Sequence, residues 1–306
     1  MYRIIDETHN QYINPETGEY NQELLEKVSC FVCLSDQYVH LFKKRGGHYV
    51  RCNNCSHIYL NPMFLDDALQ AYYQELHSVQ AEATENESEF YREIYTQGFQ
   101  LIQRHVSMGS IFDIGCSSGF FLDIAVEQGW KTYGTELNKN EVAIAKAKGT
   151  HTVYERQIEN IDFGFLRFDV ITMWDVFEHI KDGYSFLSKL KDLLTPQGVI
   201  FMQIPNSNAL AARILQEKCN MFDGIEHVNL YNLKSFKTLL ARNEGQILEL
   251  ESVISEISVS MNYLNYEDPY MGSGSQTDFF GLISQKDILS NNLGYKLQIL
   301  CRFGDG

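Results

Sequence analysis

Residues 112–121 read FDIGCSSGFF. Gly115, Ser117 and Gly119 have the G-x-S-x-G spacing of a hydrolase nucleophile elbow, yet glycines that follow an apolar strand can also cradle a nucleotide-like ligand. An elbow serine has several strands before it, whereas SIFDIG, residues 110–115, opens the strand–helix pattern of this chain. Ser117 and Ser118 also stand side by side, with nothing to mark one of them as a nucleophile. The cradle explains more residues. Small residues at 115, 117 and 119 let the backbone turn sharply, and a helix starting near Gly119 aims its free amides at the loop. Glu136, at the carboxyl end of KTYGTEL, can accept hydrogen bonds from both hydroxyls of a ribose. The loop lacks the G-x-G-x-x-G spacing that holds a pyrophosphate, and the Asp113 carboxylate repels a phosphate but suits a cationic amino acid tail.

Around the loop, strands and helices alternate. A helix over 90–105 leads into SIFDIG, and a helix over 119–128 stops at Gly129 before KTYGTEL. KNEVAIAKAKG reads as a helix, HTVYE as a short strand, FDVITMW as a buried strand, DGYSFLSKLKDLL as an amphipathic helix and PQGVIFMQIPN as a further strand. LKSFKTLLARN is one more helix, QILELESVI a strand, and YKLQILCRF the strand that closes the sheet. This alternation predicts an α/β domain over 106–306, with a parallel sheet covered on both faces. The insertion 255–293, including YEDPYMGSGSQ, has the length of a lid or a contact surface.

Upstream, Cys30 and Cys33 in CFVC and Cys52 and Cys55 in CNNC give the spacing C-x2-C-x18-C-x2-C. Two turns that each offer a pair of thiolates complete the tetrahedral sulfur set that zinc prefers. The alternating YVHLF and HYVRC predict short hairpins knotted by the metal, so 1–62 reads as a zinc ribbon with a closed structural site. His57 follows two residues after Cys55, but four sulfurs already fill the shell. Leu65 to His77 has helical spacing and includes Tyr72 and Tyr73; with the polar connection SVQAEATENESE it makes 63–105 a helical linker. Cys116, Cys219 and Cys301 read as small apolar fillers.

The 306 residues are 44% hydrophobic and carry a formal net charge of −15, ample for a buried core and unsuited to nucleic acid or an anionic membrane. MYRIIDETHNQYINPETGEY has no apolar leader core, and no later run reaches the length of a membrane span, so the expected location is the cytoplasm.

S-adenosylmethionine has the cationic tail and no phosphate. FDIGCSSGFF, the acidic TEL, MWDVFEHI and LTPQGVIFMQIPN resemble the motifs of class I S-adenosylmethionine-dependent methyltransferases over most of the chain. More narrowly, the order CFVC, CNNC, IYLNP, paired tyrosine, glycine motif is similar to that of zinc-ribbon methyltransferases, which include sugar C-methyltransferases of deoxysugar pathways and proteins of surface-polysaccharide clusters. The resemblance implies a Rossmann-like seven-stranded sheet, mostly parallel with the last strand antiparallel. It also implies S-adenosylmethionine as cofactor and a small-molecule, sugar-linked acceptor, with O- or C-methylation left open. Asp113, Gly115, Ser117, Gly119 and Glu136 are the expected cofactor residues, with Trp174 and Asp175 lining the adenosine or methionine pocket. Tyr72 or Tyr73 could close over the sulfonium.

Methyl transfer is an in-line displacement, so the residue to seek is a positioned base. Glu178-His179 follows the fourth strand, where the resembling family frames the adenosine. Glu226-His227, in GIEHVNLY, lies in the long loop after the fifth strand. A Glu-His pair in that loop of the sugar C-methyltransferases resembles it, which implies His227 as base and Glu226 as the residue that holds or polarises it. The aromatics that those enzymes place just upstream are represented only by Phe222. Two other readings use the same residues. A scaffold protein with a non-catalytic methyltransferase-like domain would have no need of Asp113, Gly115, Gly119 and Glu136. A nicotinamide oxidoreductase would need a different loop spacing.

Overall fold

The computed structural model describes residues 9–69, 71–72, 88–255 and 284–304. In the N-terminal part, β1 (Tyr38–Lys44), β2 (Gly47–Cys52) and β3 (Ile58–Leu60) run antiparallel. Two tight turns carry the cysteine pairs: Leu34 N–H closes on the Cys30 carbonyl at 2.7 Å, and Ser56 N–H on the Cys52 carbonyl at 3.1 Å. A two-residue ladder, Leu25–Glu26 against Met63–Phe64, follows the same part of the chain.

The larger sheet takes β4 (Ser110–Ile114), β5 (Lys131–Thr135), β6 (Thr152–Tyr154), β7 (Phe168–Trp174) and β8 (Leu194–Pro205), all parallel. After β9 (Asn229–Leu230), which belongs elsewhere, β10 (Gly245–Val253) and β11 (Lys296–Phe303) complete it in the order β6-β5-β4-β7-β8-β11-β10. β11 is antiparallel to both neighbours. The expected seven-stranded, mostly parallel sheet is present, and the last strand lies inside it, between β8 and β10.

The helices with described bounds are α1 (Ser88–Gln103), α2 (Phe120–Glu127), α3 (Lys139–Ala147), α4 (Gly183–Lys191), α5 (Leu210–Leu215), α6 (Leu233–Arg242) and α7 (Gln285–Ser290). Local chemistry sets their starts. Asn138 accepts the Asn140 amide at 2.9 Å ahead of α3, and Asn232 and Ser235 cap each other ahead of α6. Along β4 and β7 alternate residues part to opposite faces: Ile111 and Val170 pack with Phe99 and Phe121, whereas Phe112 and Ile171 pack with Phe186 and Phe236. The second cluster runs on without a break into Tyr49, Tyr59 and Met63, so the ribbon and the sheet share one core.

β9, two residues from the loop after β8, joins the ribbon sheet: Asn229 pairs with Tyr59 and Leu230 with Ile58 of β3. That loop is therefore held by the N-terminal part. Tyr73, nearly all of SVQAEATENESE and most of the insertion 255–293 lie outside the described residues. No helix among the described residues is long and apolar enough to cross a membrane.

Candidate functional site

The carboxyl ends of β4, β5 and β7 open onto a cavity of about 450 Å³. The loop after β4 shapes one wall. Gly115, Ser117 and Gly119 have φ of +73°, +47° and +80°. A Cβ on Gly115 would meet Val176 Cγ2 at 2.8 Å, so the left-handed backbone and the close approach both require glycine there. The amides of Gly115 and Cys116 donate to the Thr135 carbonyl at 2.8 and 3.0 Å, which pins the loop to the end of β5. Just beyond, Glu136 accepts the Ser117 amide at 3.0 Å through Oε2, and the Leu137 and Asn138 amides at 2.6 and 2.8 Å through Oε1. Those bonds fix the carboxylate on the cavity wall, with lone-pair capacity left on Oε2.

Of the seven sequence-predicted binding residues, Gly115, Glu136, Trp174 and Asp175 line the cavity. The other three build its wall from behind. Ser117 is tied through its hydroxyl to Glu141 at 3.0 Å, and Gly119 starts α2. Asp113 is 2% exposed and accepts the Thr172 hydroxyl at 2.6 Å. Burial, with Glu136 adding to it, pushes Asp113 up to about 8, so it underpins the loop as a largely neutral acid near pH 7. Trp174 packs against Tyr95 and Phe201, ring centroids 4.6 Å away in each case. Asp175, at φ +56°, accepts from Gln203 Nε2 at 3.1 Å and from the Lys296 ammonium.

The two Glu-His pairs come together beside the same cavity. His179 and Glu226 both line the cavity, and His179 Nδ1–H donates to the Glu226 carbonyl at 3.0 Å. The His179 and His227 rings meet edge to face, centroids 4.9 Å apart. The Glu226 carboxylate accepts the Tyr72 hydroxyl at 2.8 Å, so Tyr72 acts beside this cavity. The carboxylate beside His227 is instead Asp223, 3.3 Å from Nδ1, while Nδ1–H donates to the Met221 carbonyl at 2.7 Å. Asp223 also accepts the amides of Ile225 and Glu226, both at 2.9 Å, and of His227 at 3.1 Å, which winds the chain so that Glu226 faces the cavity. Sequence reasoning missed Asp223. Its signal was the pair Asp223-Gly224 ahead of Glu226-His227, a turn in which an aspartate bonds backbone amides two to four residues on.

Glu178 is fully buried, and neither of its oxygens has a hydrogen-bond partner among the described residues. One of them and one nitrogen from each of His179 and His227 lie within 4.8 Å of one another. Burial, with Asp175 adding to it, raises Glu178 to about 8. Burial and the neighbouring His227 lower His179 to about 3, so this ring is neutral. Burial and Asp223 raise Glu226 to about 7. For His227, burial opposes the charge, but Asp223 and Glu178 outweigh it and the shift is upward. Because Glu178 holds its proton more tightly folded than unfolded, its contribution to stability is complete below its ordinary range near 4.5 and is lost as pH rises towards 8. Glu178→Gln removes that dependence. Its Tm relative to the unmodified protein should shift in the variant's favour between about pH 5 and pH 8, and a difference that stays flat contradicts the assignment.

At the cysteine turns, Cys30 Sγ lies 3.6 Å from Cys55 Sγ and Cys33 Sγ 3.4 Å from Cys52 Sγ, with all four sulfurs within 4.8 Å of one another. A disulfide needs about 2.05 Å, whereas sulfurs about 2.3 Å from a tetrahedral ion lie a little under 4 Å apart. The donor set fits zinc. The hydrogen bond between Cys30 and Cys55 raises the Cys30 thiol and lowers the Cys55 thiol, as two adjacent sulfurs sharing one proton do. His57 stands outside this set; its Nε2 bonds Asn229 Oδ1 at 2.8 Å.

Comparison with known proteins agrees with this architecture. The ubiquinone biosynthesis O-methyltransferase of Haemophilus ducreyi is 26% identical over 106 residues, 31% of this chain and 45% of the relative. That of Pasteurella multocida is 29% identical over 111 residues, 31% and 46%. The match thus spans less than half the length of these curated relatives. In fold, the chain is similar to the plantazolicin methyltransferase BpumL, solved with a monoazolic desmethylPZN analog and SAH, at TM-score 0.51 and 16% identity over 78% of this chain and 94% of that one. It is also similar to BamL, solved with a triazolic analog and SAH, at 0.50 and 16% over 77% and 92%. Residues 84–250, more than half of the chain, match the family described as Methyltransferase domain, and the chain belongs to that family.

Proposed function

We propose that the protein transfers a methyl group from S-adenosylmethionine to a small, sugar-linked acceptor, at a hydroxyl or at a carbon beside a carbonyl. The observation that carries this reading is one cavity whose lining holds Gly115 and Glu136 together with Glu226 and His179. Gly115 and Glu136 suit an unphosphorylated adenosine with a cationic tail: glycine backbone for close approach and a carboxylate for ribose hydroxyls. When bound, S-adenosylmethionine supplies a methyl group on a sulfonium. The chain's own contribution is to orient the acceptor, exclude water with Trp174 and Ile180, and remove a proton. Glu226, held by Tyr72, meets the acceptor, and His227 stands behind it with Asp223 at its Nδ1. The proteins similar to this chain are named for ubiquinone biosynthesis and for plantazolicin methylation, and the order of cysteine, tyrosine and glycine motifs supports a sugar-linked acceptor. Zinc at Cys30, Cys33, Cys52 and Cys55 is a closed structural site, with no open position for catalysis.

The test is ligand-induced stabilisation. S-adenosylhomocysteine and S-adenosylmethionine should raise Tm and NAD should not, since only a ligand of the folded state shifts the midpoint. A rise with NAD alone would turn the reading to an oxidoreductase, and no rise with any of the three would favour a non-catalytic scaffold. By calorimetry, Glu136→Ala should cost S-adenosylhomocysteine about 1–3 kcal/mol of affinity, the usual result of stranding buried hydrogen-bonding groups. Unchanged affinity removes Glu136 from the site.

A further inference from the structure

We propose that Asn229 and His57 are positioning residues that fix both Glu-His loops of the cavity to the turn carrying Cys52 and Cys55. Asn229 is buried on β9. Its amide nitrogen donates to the carbonyls of Ile180 at 2.7 Å and Lys181 at 3.0 Å, directly after Glu178-His179. Two carbonyls on one side fix the orientation of the carboxamide, so Oδ1 accepts from His57 Nε2–H at 2.8 Å, across 172 sequence positions. His57 in turn accepts the Cys52 amide at its carbonyl, 2.9 Å, which makes it part of the cysteine turn. On the other side of Asn229, the Val228 carbonyl accepts the Leu60 amide at 3.0 Å, one residue beyond His227.

One carboxamide therefore joins three segments: the loop after β7, the loop after β8 and the ribbon turn. Asparagine alone among side chains of this size offers two donors on one branch and an acceptor on the other; leucine offers neither, and aspartate lacks the donors. Without it, the Ile180 and Lys181 carbonyls lose a donor and buried His57 Nε2–H loses its acceptor. The inference rests on the reading that the two loops form the acceptor wall. Its chemical meaning is that ribbon geometry sets the position of Glu226 and His179, where a displacement of about 1 Å can cost about 10²-fold in rate.

The experiment uses the full chain with Asn229→Leu, His57→Leu and His57→Gln, the last keeping a donor for Asn229. Hydrogen exchange should quicken by about tenfold or more in residues 176–182 and 221–230 together in Asn229→Leu and His57→Leu, while residues 110–145 stay protected. The ring NMR signals of His179 and His227 should move in the same variants, and His57→Gln should return towards the unmodified protein. Zinc content and S-adenosylhomocysteine affinity should hold, the latter within about twofold. Exchange unchanged in both loops overturns the proposal, as does quickening that spreads equally to 110–145, the mark of a general packing role. If Asn229→Leu does not fold, the contrast between His57→Leu and His57→Gln decides. Failure of the unmodified protein to bind S-adenosylhomocysteine strikes the methyltransferase reading instead.

Discussion

Replacing Glu226 with Gln, or His227 with Asn, should lower turnover by about 10²–10⁴-fold while S-adenosylhomocysteine binds as before, because a positioned base acts on the rate and not on cofactor affinity. The two side chains have different tasks. Glu226 lines the cavity with its carboxylate held by Tyr72, and His227 stands one residue on, with Asp223 beside its Nδ1. A proton acceptor must be deprotonated to work, and burial together with Asp223 raises Glu226 to about 7. The rate should therefore climb as pH rises through about 7, and Glu226→Gln should flatten that climb as well as lower it. Tyr72→Phe removes the hydrogen bond that favours the charged carboxylate, so it should move the climb to higher pH. Methyl transfer measured against pH for these variants checks both statements. Near-normal turnover in both Glu226→Gln and His227→Asn would remove the pair from the chemistry, and a selective collapse in His179→Asn would move the base to the neighbouring loop.

The second large effect concerns the four cysteines. Metal analysis of protein purified without chelator should find about one zinc per chain. Cys30→Ser or Cys52→Ser should lose the metal and, with it, most of the stability of the N-terminal part. Structural zinc contributes about 10–16 kcal/mol in isolated zinc-finger peptides, as much as the entire net stability of a typical domain, about 5–15 kcal/mol. Since the ribbon shares its core with the large sheet and β9 pairs with β3, the loss should reach the Glu226 loop. A Tm that does not change with metal removal contradicts this, and so does zinc lost only when His57 is changed, because the set would then include an imidazole.

The parts of the fold that follow from local pattern were legible in the sequence. FDVITMW and PQGVIFMQIPN are apolar enough to be strands buried on both faces, Gly129 ends α2, and LKSFKTLLARN forms α6. The glycine loop was legible because φ beyond zero at 115 and 119 is a property that residue type reveals. What could not be read depends on distant pairing. β9 is two residues long and has no periodicity, and its existence rests on β3 more than 160 positions earlier. Insertion of β11 between β8 and β10 likewise rests on pairing with β8, more than ninety positions earlier in register. In the site, sequence logic put Asp113 at the cavity as a charge, whereas the strand direction turns it into the core, where Thr172 bonds it. The resemblance to the sugar C-methyltransferases implied Glu226 as the residue that holds His227. In a turn, neighbours point apart, and the residue four positions back, Asp223, comes alongside.

In the proposed function, one cavity holds both the cofactor, beside the glycine loop, and the proton acceptor. A crystal structure of the protein with S-adenosylhomocysteine tests it most directly. The ligand should lie in the space between Gly115 and Glu226, with its ribose hydroxyls on the Glu136 carboxylate and its sulfur turned towards Glu226 and His179. A ligand bound elsewhere, or one whose ribose leaves Glu136 on its loop amides alone, would contradict it.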